Sequence, residues 1–190
     1  MRKTVFFLVI VFLFSFIPVS AQTIETLAPT NLGDYLSWDD QGVYILAMLA
    51  NVNLSDSSFT WGTGPDDQYG SILMGTYSDA GGTYIYTFQI DKNTMLLMEV
   101  VYSAMIHDNA VINSMMKDIK ETYGLAQAQS YAHPALTAEF AQYASMMDEF
   151  KTVANDSTIC TYGYLLAEDG KDGMIFLDFL DRSYYQDPVG

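Results

Sequence analysis

Residues 83–105, TYIYTFQIDKNTMLLMEVVYSAM, decide the fold. Thr83 to Ile90 alternates and concentrates Tyr, Ile, Thr and Phe, the pattern of a half-buried strand. Asp91-Lys92-Asn93 is a tight turn. Met95 to Met105 is nearly all apolar, so it reads as the antiparallel partner and as a central strand, covered on both faces. Met and Leu would also suit a helix; Val100, Val101 and Tyr102 favour the strand.

Outward from this hairpin the chain keeps alternating strands and helices. Ser71 to Tyr77 reads as a strand ending in the turn Asp79-Ala80-Gly81-Gly82. Thr158 to Leu166 and Met174 to Leu180 are two more strands, joined by Glu168-Asp169-Gly170-Lys171-Asp172-Gly173. Asp108 caps a helix running to Tyr123, with Gly124 just past its end and Ile112, Met115, Met116, Ile119 and Tyr123 on one face. Pro134 opens another, at the helical position where proline is tolerated. Its Leu136, Phe140, Tyr143, Met147 and Phe150 follow at spacings of 4, 3, 4 and 3, and Asn155-Asp156 ends it. Asp34 to Asn53 forms a third helix, with Ser37 as N-cap, Asp39 and Asp40 in the first turn, and Val43, Leu46, Ala47 and Ala50 as the inner face. Gly42 weakens that helix. Leu54 to Gly70 is irregular. The expectation is one α+β domain over residues 34–183. It has an antiparallel sheet of about five strands, helices packed on one face, and an element order that permits two helix-plus-hairpin repeats. Residues 22–33 form an extended leader and 184–190 a polar tail.

The first 21 residues read as a secretory signal peptide. Arg2 and Lys3 precede the apolar run Thr4 to Phe16, and Val19-Ser20-Ala21 supplies small residues for cleavage after Ala21. No cysteine follows the run, so no lipid is attached there, and the product is expected in a periplasm or outside the cell. Cleavage leaves 169 residues with 6 basic against 23 acidic side chains, a net charge of −17. Such a surface repels nucleic acid and anionic lipid, which bind clustered Lys and Arg. Cys160 is the single cysteine. It allows no internal disulfide and reads as a small buried hydrophobe. Of the acidic residues 17 are Asp, many at turn or helix-start positions, where the carboxylate binds nearby backbone N–H groups.

Trp38, the Tyr84/Tyr86/Phe88 alternation before a turn, and Tyr123-Gly124 at a helix end accompany the helix-then-strands order. In topology the chain resembles secreted β-lactamase-inhibitor-type tandem-repeat domains. That resemblance implies a non-enzymatic surface for a protein partner.

Catalytic chemistry is thinly supplied. His107 and His133 are the two histidines, each beside a helix start, where a surface or capping role is the default. No Gly-x-Ser-x-Gly elbow and no His-Glu-x-x-His zinc helix occurs. Calcium suits a secreted Asp-rich chain because it takes hard oxygen ligands. Asp66-Asp67 and the 168–173 loop are the segments to test; in the latter Lys171 intrudes and no Glu closes the loop. Exposed aromatics could form a binding platform: Tyr84 with Tyr86 and Tyr162 with Tyr164 share strand faces, although cross-strand core packing with hydroxyls reaching the rim is the favoured explanation. The candidate contact residues are Trp61, Asp66, Asp67 and Tyr69. The leading expectation is a secreted or periplasmic, non-enzymatic binding protein that needs no cofactor and meets another envelope or extracellular protein. The alternatives are a small extracytoplasmic hydrolase using Asp carboxylates, or a calcium-stabilised structural domain.

Overall fold

The computed structural model describes residues 27–32, 37–64, 70–168 and 171–184. The signal peptide, Asp34, the Asp66–Asp67–Tyr69 segment, Asp169-Gly170 and residues 185–190 lie outside them. Among the described residues the elements are α1 (Gly42–Ser55), β1 (Phe59–Thr63), β2 (Gly70–Ser78), β3 (Gly82–Asp91), β4 (Leu97–Ile106), α2 (Asn109–Thr122), β5 (Gln129–Ser130), α3 (Pro134–Met146), β6 (Glu149–Ala154), β7 (Thr158–Leu165) and β8 (Gly173–Asp181). No described helix is long and apolar enough to cross a membrane.

The fold is α+β, built on a single eight-stranded sheet in the order β1-β2-β3-β4-β8-β7-β6-β5, antiparallel throughout. The 83–105 hairpin is present as β3 and β4, and β4 pairs with β8 at the middle of the sheet. Asp91 makes the turn. Its carboxylate accepts from the N–H groups of Asn93 (2.8 Å) and Thr94 (2.7 Å) and from the Thr94 hydroxyl (3.0 Å). Asp79 does the same between β2 and β3, accepting from Gly81 and Gly82 N–H. Asp108 caps α2 by accepting from Ala110 N–H at 2.7 Å. Much of the acidic composition is therefore spent on turns and caps, as its positions suggested.

The sheet has eight strands rather than about five. The three unforeseen ones, β1, β5 and β6, are the outer strands. The helix expected to run from Pro134 past Phe150 stops at Met146. Glu149–Ala154 is instead hydrogen-bonded between β5 and β7. Phe150 still reaches the Phe140 ring, with centroids 6.0 Å apart, so one apolar side chain satisfies both readings. α1 starts at Gly42 rather than upstream. Asp40 accepts from Ser37 N–H at 2.7 Å, closing a turn, and the backbone then bridges to Leu96 before the helix begins. Its buried residues are Ile45, Met48, Leu49 and Val52, while Val43 is exposed. The helix is apolar on nearly every side, so periodicity alone does not choose its inner face.

The helices do not share one face of the sheet. α1 and α2 join a large core with Phe59, Leu73, Tyr86, Phe88, Val100, Tyr102, Cys160, Tyr162, Leu177 and Phe179. Leu136 and Phe140 of α3 pack with Ile159, Phe176 and Leu180, which alternate with the first set along β7 and β8 and so point the other way. On the second face Met74 of β2 and Met105 of β4 are exposed, while Gln89 of β3 is buried and Val101 of β4 packs against the α3 cluster. Each half of the sheet is a run of four strands rather than a hairpin, and α3 between β5 and β6 has no counterpart in the first half. Leu27 and Leu32 are buried in the larger core, so packing begins inside the segment expected to be a leader. The Tyr123 hydroxyl donates to Pro29 C=O at 2.6 Å and ties that segment to the end of α2.

Candidate functional site: an apolar pocket beside Trp38

On the larger core's side of the sheet, α2 runs along β8. Its first turn is clasped to the β7–β8 connection. Asn109 donates to Ala167 C=O at 3.1 Å and accepts from Ala167 N–H at 2.6 Å. Its far end places Tyr123 edge-on against Phe179, ring centroids 4.9 Å apart. Beyond Gly124, whose φ of +60° suits a glycine after a helix, the chain turns back over β6. Between this turn, the N-terminal segment and the sheet lies a pocket of about 230 Å³.

Leu32, Leu97, Val100, Leu125, Val153, Cys160 and Phe179 form its buried wall; Trp38, Tyr123, Ala128, Ala154, Asn155 and Thr158 complete it and are partly or largely exposed. The lining is mostly apolar, and its polar groups stand at the exposed end. The Trp38 indole donates to the Thr158 hydroxyl at 3.0 Å, which fixes the ring across one side of that end. The Asn155 side-chain oxygen accepts from Ser157 and Thr158 N–H. Burial pushes the Cys160 thiol well above its ordinary range, and the nearby Asp178 pushes the same way. It is therefore a neutral wall group rather than a nucleophile.

The candidate residues read from sequence fall elsewhere. Trp61 stands on the edge strand β1, not in a loop, and packs partly buried against the large core. Asp66, Asp67 and Tyr69 lie outside the described residues. Of the paired tyrosines, Tyr86 and Tyr162 are core, each 3% exposed or less, while Tyr84 and Tyr164 are partly buried against it; Tyr102 is also core. Tyr86 and Tyr102 stand ring to ring at 5.3 Å. His107 Nδ1 donates to the Asp172 carboxylate, pinning the end of β4 to the β7–β8 connection. The polar cleft around it, with Glu168 and Lys171, has no serine, threonine or cysteine among its described lining residues. His133 stacks on Tyr131 at the start of α3. In the 168–173 loop, Lys171 pairs with Glu168 at 2.9 Å. Among the described residues no group of three acidic, histidine or cysteine side chains converges to hold a metal ion. Sequence reasoning missed the pocket. Trp38 was the one available signal, a large aromatic ahead of a helix rather than within it.

No protein-family model, no curated protein and no solved structure matches the chain. None of these comparisons supports the likeness to β-lactamase-inhibitor-type repeats.

Proposed function

We propose that the protein is an extracytoplasmic, non-enzymatic binding protein that takes one small apolar molecule into the pocket beside Trp38. The observation that carries this reading is a mostly apolar pocket large enough for a small molecule, walled on its inner side by Leu32, Leu97, Val100, Leu125, Val153, Cys160 and Phe179. Protein interiors hold few voids larger than a water molecule. The apolar wall around this space of about 230 Å³ is left uncovered, and a ligand that covered it would gain the free energy of burying that surface. An apolar cavity of about 150 Å³ accommodates one benzene ring. This pocket has room for a bicyclic aromatic or a short aliphatic chain, with any polar end turned toward Trp38, Asn155 and Thr158. The net charge, −15 for the full sequence and −17 after the expected cleavage, favours a neutral ligand over an anion.

Naphthalene is the simplest probe. At the efficiency expected of a ligand this small, its Kd is on the order of 100 μM. A ligand held only by the folded state raises the unfolding midpoint by mass action. Saturating naphthalene is expected to raise Tm by about 2 °C or more for a domain of this size. It should also change the emission of Trp38, read in a Trp61→Phe background. An unchanged midpoint together with an unchanged spectrum would sink the reading.

A further inference from the structure

On the opposite face of the sheet, Asp178 of β8 is 0% exposed. Neither of its carboxyl oxygens has a hydrogen-bond partner among the described residues. It lies between Phe176 and Leu180, the two β8 residues that seat α3. Its cross-strand neighbours are Val101 of β4 and Thr161 of β7. Thr161 is also fully buried, and its hydroxyl is engaged with that of Thr152 on β6 at 3.1 Å. The charged groups that Asp178 feels are Glu99 of β4 and Glu139 of α3. Both have its own sign, and Glu139 is the only charged residue of α3. On the larger core's side, the neighbouring titratable group is the Cys160 thiol.

An isolated ionised carboxylate in such a place is among the costliest arrangements in a protein. Among the described residues nothing in this surrounding offsets the charge, so a proton must. Burial pushes the Asp178 carboxyl well above the usual carboxylate range, and Glu99 and Glu139 push it further. Glu139 is itself raised by burial. The weakest part of the enclosure is α3. Leu136 and Phe140 are its two buried residues, and its N-cap residue His133 makes no side-chain cap bond. Elements held by so few apolar contacts are the ones that open locally.

We propose that Asp178 is a proton-dependent latch for α3: the helix stays seated while this carboxyl is neutral and lifts when it ionises, uncovering Phe150, Phe176 and Leu180. The direction follows from linkage. The closed state holds the proton more tightly than the open state, where an exposed Asp has a pKa of about 3.9. Closure is therefore strongest below about pH 4 and weakens as pH rises through the interval up to the closed-state pKa, by about tenfold per pH unit.

Amide hydrogen exchange of residues 134–146, corrected for the intrinsic pH dependence of exchange, reads this directly. In the wild-type protein the opening constant is expected to rise about tenfold per pH unit from pH 5 upward, until it levels off at the closed-state pKa. In Asp178→Asn the slope should fall to the shallow remainder that Glu139 leaves. Asp178→Leu, which replaces the polar group with apolar bulk, serves if the amide variant does not fold. Asp181→Asn, a more exposed acid on the same strand, should keep the wild-type slope. Infrared spectra of the wild type at pH 5 should show a protonated-carboxyl band that Asp178→Asn lacks. A flat wild-type profile, or equal slopes in wild type and Asp178→Asn, would overturn the proposal.

Discussion

Ala128→Phe is expected to weaken naphthalene binding at least tenfold while leaving the protein as stable as before or more so. Ala128 sits on the turn after α2, partly exposed and facing the pocket. That turn is not a hydrogen-bonded strand, so a larger side chain can be taken up without moving the sheet. A phenyl ring there occupies the space the ligand needs and contacts Leu125, Val153 and the other wall groups in its place. Filling an existing cavity commonly adds roughly 0.5–2 kcal/mol of stability, whereas a tenfold affinity loss corresponds to about 1.4 kcal/mol. Opposite signs for stability and binding distinguish a filled pocket from a damaged fold. Calorimetric titration and thermal unfolding of the same sample measure both. A variant that lost stability and binding together would point to disruption, and one that kept full affinity would place the ligand elsewhere.

The largest stability effect is expected at Phe59. This ring is fully buried on β1, and it lies across Gly75 of β2. A Cβ added at Gly75 would stand 2.4 Å from its Cζ and 3.0 Å from its Cε2. Across the sheet the ring meets Tyr86, centroids 6.3 Å apart. Its backbone is equally committed, since Phe59 N–H donates to Asp56 C=O at 3.1 Å and its C=O accepts from Asn53 at 2.5 Å. Phe59→Ala should cost about 3–5 kcal/mol and lower Tm by roughly 6–20 °C. Gly75→Ala should cost about 1–3 kcal/mol, because the ring must be displaced. Combined as Phe59→Leu with Gly75→Ala, the two changes should cost less than their sum by about 1 kcal/mol or more, since the smaller side chain vacates the space the methyl group needs. Strict additivity would mean that the two residues do not meet as described.

How far the sequence could be read depended on where each residue sits in the sheet. The five strands with their own pattern, β2, β3, β4, β7 and β8, are the inner ones. Burial on both sides, or strict alternation, wrote a strand signature into them. β1, β5 and β6 lack it because neighbouring strands hold them. FTWGT carries one fully buried residue, β5 is two residues long, and EFKTVA continues the spacing of the helix before it. Pairing with β7 overrode that period. Capping was legible because Asp108 and the turn aspartates act on backbone two or three residues away, a distance sequence encodes. The pocket was not, because its wall comes from β4, β6, β7, β8, the turn after α2 and the segment around Leu32 and Trp38. No local spacing relates those residues. Asp178 was equally hidden: within MIFLDFLD it resembles any polar interruption of a strand, and only the pairing of β8 between β4 and β7 beneath α3 buries it.

The most direct test of the central claim is where naphthalene sits. With methyl groups isotopically labelled, NMR shift mapping should show saturable, one-to-one changes confined to Leu32, Leu97, Val100, Leu125 and Val153. The exposed Met74 and Met105 on the opposite face should remain fixed. Changes centred on Met74, Met105 and Ile72, or no saturable change anywhere, would contradict the pocket as the binding site.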